Sequence, residues 1–144
     1  MNKVLKYNSL FLGTMILLFG GLKLVDPFYT WFHIQIAKSG LPAFFIPLGM
    51  VGEISVGLSL LLATAFSGRI RSFFRLIVAL ASVGLIVNMA VATYVHLRPE
   101  VPASVLPLGI KPPFIPLSVM LLAGVNLFLL YRPRERAREL ATIT

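Results

Sequence analysis

Four long apolar runs, separated by short polar or proline-rich breaks, organise the chain. The first spans Tyr7 to Leu22, sixteen uncharged residues between Lys6 and Lys23, and extends to Val25 if Lys23 snorkels to the surface. The second runs from Pro42 to Phe66, interrupted only by Glu53; the third runs from Leu76 to Val95, between Arg75 and His96. The fourth covers Phe114 to Tyr131, ahead of Arg132. Soluble helices need a polar face, which these runs lack, and each can cross a hydrocarbon layer of about 30 Å at ~1.5 Å per residue. The pattern predicts an all-α membrane protein, one domain over residues 1–144, with helices over about 7–25, 42–66, 74–95 and 114–131 and a basic tail over 132–144. A signal peptide is the rival reading of the first run, but no Ala-x-Ala type cleavage site follows, so it reads as a retained anchor.

Composition agrees with a bilayer as the main solvent: 58% of residues are hydrophobic, against roughly 45–50% in soluble domains. Of the acidic and strongly basic residues, only Glu53 lies away from the tails and run ends. The net charge of +8 would suit a nucleic-acid binder if the basic residues formed one patch; here they flank apolar spans, which argues against nucleic acid. Cysteine is absent, which removes disulfides, thiolate metal sites and iron–sulfur ligation; no metal centre is expected.

The basic residues also orient the spans. Lys3, Lys6, Arg69, Arg71, Arg75, Arg132, Arg134, Arg136 and Arg138 fall on one side, and Lys23, Lys38, Arg98 and Lys111 on the other. The positive-inside bias places both termini and the second loop in the cytoplasm, and short loops imply an antiparallel four-helix bundle. In the C-terminal tail, Glu135 is spaced to meet Arg138 or Glu139 in a headgroup-facing cap.

Of the two outer loops, residues 26–41 carry Phe28, Tyr29, Trp31, Phe32 and His33, a composition suited to an amphipathic segment in the interface. Residues 98–113 are rich in proline and read as an extended, stiff lid with little helix.

Glu53 stands out, because a carboxylate near mid-bilayer costs roughly 2.5–3.5 kcal/mol unless it is paired or protonated. It lies ten residues beyond Ala43, about 15 Å deep, on a face shared with Gly49, Gly52 and Gly57, which points it into the bundle. Gly84, Asn88, Ala92 and His96 make a matching small and polar stripe on the third helix, with Asn88 at similar depth to Glu53. Lys23 closes the first helix on the face of Gly13 and Gly20, and the opposite lean of the two side chains brings it toward Glu53, directly or through water. Glu53 and His96 are therefore the candidate proton-handling residues, and Lys23 and Asn88 the candidate binding residues. The plainer readings are a protonated Glu53 that only bonds a neighbouring helix, a snorkelling Lys23, an Asn88 that only joins helices, and an interfacial His96 with no ligand. Ser118, Gly124 and Asn126 read as helix–helix contacts, and a bis-histidine haem would need both His33 and His96.

Together these residues resemble the DoxX family: Gly20-Gly21-Leu22-Lys23-Leu24 ends the first helix with Pro27 just after, Gly40-Leu41-Pro42 opens the second, and Glu53 is followed by Gly57. The resemblance covers about residues 7–131, Lys23 and Glu53 match the family's polar positions, and His96 takes the polar end of the third helix; the stretch 98–113 is less typical. It implies a four-helix membrane subunit, in some members part of a thiosulfate:quinone oxidoreductase and in others tied to oxidative-stress complexes. The expected function is a component of a quinone-linked redox system in a bacterial cytoplasmic (inner) membrane. Its outer-half cavity would hold a quinone or a small oxyanion, and it would work within a larger membrane redox complex or as a homo-oligomer. The alternatives are a non-catalytic accessory subunit and, third, a small-molecule or proton transporter.

Overall fold

Glycine and proline set the helix boundaries. The computed structural model describes residues 3–68 and 71–132, the side chains of residues 71 and 72 excepted. Helix α1 (Lys3–Leu22) begins earlier than the apolar pattern predicts, since nothing near Lys3 and Lys6 breaks a helix, and ends in turns at Leu24 and Val25 ahead of Pro27. Helix α2 (Phe28–Ser39) starts where the Asp26 carboxylate accepts from the Thr30 N–H and hydroxyl, and it stops at Gly40. There φ is 76°, a left-handed conformation that suits glycine. Helices α3 (Phe45–Ala65) and α5 (Phe114–Tyr131) carry Pro47 and Pro116 in their first turns, where a missing N–H costs nothing. Because Pro42 and Ala43 carbonyls accept from Phe45 and Ile46 in turns, α3 begins three residues after the predicted Pro42. Helix α4 (Arg71–Leu97) outruns its predicted bounds at both ends.

Four of these helices, with spans Lys3–Leu22, Phe45–Ala65, Phe73–Leu97 and Phe114–Tyr131, are long and apolar enough to cross a membrane. Leu18, Val51, Leu62, Leu80 and Leu121 are exposed on them, an apolar outer surface that water would not tolerate and acyl chains would. The four close into a ring: α1 packs on α3 and α5, α3 on α4, and α4 on α5. Leu12, Ile16, Leu60, Val78, Leu85 and Ala123 fill its centre.

The α1–α3 contact is the tightest. A Cβ placed on Gly57 would lie 2.8 Å from the Leu17 backbone nitrogen, one on Gly13 would lie 3.1 Å from the Gly57 carbonyl oxygen, and one on Gly20 would lie 3.0 Å from Glu53 Cβ. These glycines let the two backbones meet. At the other end of the bundle Asn126, fully buried, accepts from Asn8 (2.8 Å) and donates to Ser9 (3.2 Å) and Ser82 (3.5 Å), which joins three helices. Arg75 donates to the Leu130 carbonyl, one of the acceptors that the end of α5 leaves open.

A second, smaller core sits over the far end. Phe32 and Ile36 of α2 pack with Val95, Val101, Val105 and Leu106, so the proline-rich connection folds down on the bundle through two 3-10 turns, Ala103–Val105 and Pro107–Gly109. Arg69, Arg134, Arg136 and Arg138, which orient the spans, lie outside the described residues, as do the Arg71 side chain and the expected cap with Glu135, Arg138 and Glu139.

Candidate functional site

Between the two cores lies a cavity of about 300 Å³, and Lys23, Glu53, Asn88 and His96 all line it. Each arrives by a different route. Gly20 and Gly57 draw α1 onto α3, which sets Lys23, one residue past α1, beside Glu53. The Lys23 ammonium donates to Glu53 Oε1 at 2.6 Å and lies 4.0 Å from the centre of the Phe32 ring. A cation over an aromatic face is a second source of compensation for the buried charge. On α4, Asn88 presents its amide to the same Oε1 at 3.4 Å, a long and weak bond.

Glu53 is only 5% exposed, and its second oxygen, Oε2, is buried and has no hydrogen-bond partner among the described residues. A buried acceptor left unmade costs about 1–3 kcal/mol. Most of the remaining wall is apolar: Phe19, Phe45, Ile115 and Val119 among others. An apolar chamber with a few convergent polar groups is the usual form of a small-molecule site, and its volume is at the low end of the roughly 300–1,000 Å³ such sites span.

His96 is buried on the same wall, but its bond goes elsewhere. Nδ1 lies 3.2 Å from the Lys111 carbonyl oxygen, and a carbonyl can only accept, so Nδ1 carries the proton and Nε2 is the acceptor of the neutral ring. The structure thus joins Lys23, Glu53 and Asn88 by direct contact and places His96 in the same chamber without a bond to them. Asn126 lies in the separate polar cluster with Asn8, Ser9 and Ser82, and Ser118 bonds the Phe114 carbonyl of its own helix. Gly124 has no neighbour within 4 Å of where a Cβ would be.

Sequence reasoning missed the contribution of α2; the connection above it, expected as an extended lid with little helix, does border the chamber but folds through two 3-10 turns. Phe32, Gln35 and Ile36 line the chamber, Pro107 closes it from the loop, and Gln35 donates to the Val105 carbonyl. The buried positions Phe32, Ile36 and Ser39 fall at the i, i+4, i+7 spacing of an inward helix face, a signal hidden by the aromatic richness of the segment. His33, by contrast, faces Tyr29, with ring centres 4.3 Å apart, and has no part in the chamber wall. No family model, curated protein or solved structure matches the chain.

Proposed function

We propose that the chain is a DoxX-like membrane component of a quinone-linked redox system and that the chamber holds the head of a quinone in its reduced, hydroxyl-bearing form. One observation carries this reading: Glu53 lines an apolar chamber, and one of its carboxylate oxygens is buried with no partner among the described residues, beside donors already engaged. A quinol hydroxyl donates to Oε2, and the Asn88 amide and Lys23 ammonium are at hand to donate to a carbonyl once the ring is oxidised. A quinone takes up two protons with two electrons on reduction, and Glu53 and His96 Nε2 are groups that exchange protons. The side chains here carry no electron relay, so a partner complex or co-substrate supplies or removes the electrons. A small oxyanion fits less well: the nearby cation is already paired, and a second anion beside a buried carboxylate is repelled strongly at low dielectric.

In this reading the spans run antiparallel in a bacterial cytoplasmic membrane with both termini cytoplasmic. The order of contacts between α1 and α3, with Gly13 opposite Gly57 and Gly20 opposite Glu53, supports the antiparallel run of those two helices, and the distribution of basic residues supports the orientation. Topology reporters fused after Arg71 and after Arg138 are expected to signal cytoplasm; a periplasmic signal at either position rejects the orientation.

The direct test of function is to purify the protein in mild detergent, extract bound lipid and identify it by mass spectrometry. A stoichiometric quinone or quinol is expected. Co-purifying proteins without any quinone would favour the accessory-subunit reading, which the Asn126 cluster supports by showing polar residues that only join helices.

A further inference from the structure

The walls of the chamber differ in how they are closed. Above it, α2 contributes Phe32, Gln35 and Ile36, and the connection contributes Pro107. Gln35 is tied to the Val105 carbonyl, and the Lys111 ammonium donates to the Arg98 and Val101 carbonyls, which folds the connection back on itself. Between α1 and α3 the glycine contact leaves no gap. Below, the buried Ile16, Met89 and Val119 form the floor.

Between α3 and α4 the wall is open. Leu48 on α3 and Val87 on α4 both line the chamber, yet they are 56% and 59% exposed on the outer surface. Gly52, one turn along α3 from Leu48, has no atom of a neighbouring segment within 4 Å of where a Cβ would sit, and the corresponding point on Gly84 meets only a Val56 methyl at 3.5 Å. Of the three glycines on the Glu53 face, Gly57 is filled by Leu17 and Gly49 by the Phe32 ring, while Gly52 leaves a slot. The surface around the slot includes the exposed Val51, Leu80 and Val83, an apolar, lipid-facing region.

We infer that this slot is a lateral portal through which a lipid-dissolved quinol enters the chamber, its head bonded to Glu53 Oε2 and its apolar tail left lying between α3 and α4. The inference rests on the quinol reading of the chamber and adds the class of molecule, a tailed and membrane-resident one, and the path it takes. The polar demand inside and the apolar mouth select an amphiphile. A small head without a tail can pass a narrowed mouth, whereas a tail has to stay lodged in it.

The test compares two probes in lipid nanodiscs: a decyl-tailed benzoquinol and the same head with a methyl group in place of the tail. Gly52→Phe narrows the slot from α3, where the added Cβ meets no atom of a neighbouring segment within 4 Å, and Val87→Trp narrows it from the opposite lip. Wild type is expected to bind both probes. Each variant is expected to weaken the tailed probe by about tenfold or more while leaving the methyl probe within about twofold. Equal affinity of wild type and both variants for the tailed probe, or equal loss of both probes, overturns the portal and leaves the chamber reading standing. A bound phospholipid that the tailed probe does not displace from wild type also overturns it. If wild type binds neither probe, the quinol reading fails and the portal with it.

Discussion

Glu53→Gln is expected to fold normally and to lose quinol binding by about tenfold or more. The glutamine oxygen must take over the bonds from Lys23 and Asn88 that Glu53 Oε1 now accepts, which turns its NH₂ to the position of Oε2. A donor then replaces the acceptor that a ligand hydroxyl needs. A hydrogen bond to a charged group contributes about 1.5–3 kcal/mol, and ~1.4 kcal/mol is a factor of ten. Stability should change by only about 1 kcal/mol, since volume and most bonds persist and Lys23, the more exposed partner at the end of α1, can reach toward the interface. Lys23→Met should behave differently. It leaves a carboxylate in an apolar chamber without its counter-charge, which costs about 3–5 kcal/mol, and the double variant with Glu53→Gln should regain most of that loss. Unfolding in mixed micelles reads the stability, and quinol titration reads the binding. Asn126→Ala, in the distant cluster, should leave binding unchanged. Full quinol affinity in folded Glu53→Gln and Lys23→Met would remove the site and favour the accessory role.

Gly57→Ala is expected to destabilise the bundle by about 1–3 kcal/mol, an effect opposite in sign to the same change elsewhere. The new methyl would lie 2.8 Å from both the nitrogen and the Cβ of Leu17 and 2.9 Å from its Cα. Backbone atoms cannot swing aside, so α1 must move away from α3. That movement takes Lys23 from Glu53, and ligand occupancy should fall with stability. Gly124→Ala is the control: it meets no atom within 4 Å, and alanine in a helix interior is worth roughly 0.5–1 kcal/mol over glycine. Unfolding midpoints for the two variants should therefore separate in opposite directions. Equal midpoints would mean that the close α1–α3 contact has slack and does not set the position of Lys23.

The four spans, the helix breaks and the placement of Glu53, Asn88 and Lys23 near one another were legible in the order of residues, because each rests on local or one-dimensional physics. An uncharged run of sufficient length must satisfy its own backbone as a helix in lipid, and a lone carboxyl within such a run must face inward. Helical spacing put Glu53 on the glycine face and Asn88 on the stripe with His96, and counting residues gave their depths. Gly40 and the prolines marked boundaries because their backbone geometry is intrinsic.

Tertiary structure alone decided the rest. Whether Lys23 snorkels or pairs depends on how closely α1 approaches α3, and that distance is fixed by which glycines oppose which backbone atoms. Spacing assigns Gly49, Gly52 and Gly57 to one face without distinction, but Phe32 fills the first and Leu17 the third, and only packing leaves Gly52 open. Phe32 itself reads as an interfacial aromatic until the proline-rich connection folds over α2 and buries it beside Val101, Val105 and Leu106. A partnerless Oε2 cannot be seen in sequence at all, since it is a statement about every neighbour that fails to reach it. Periodicity names the face a residue occupies; the contacts that fill or spare that face come from segments distant in the chain, and their geometry is not additive over positions.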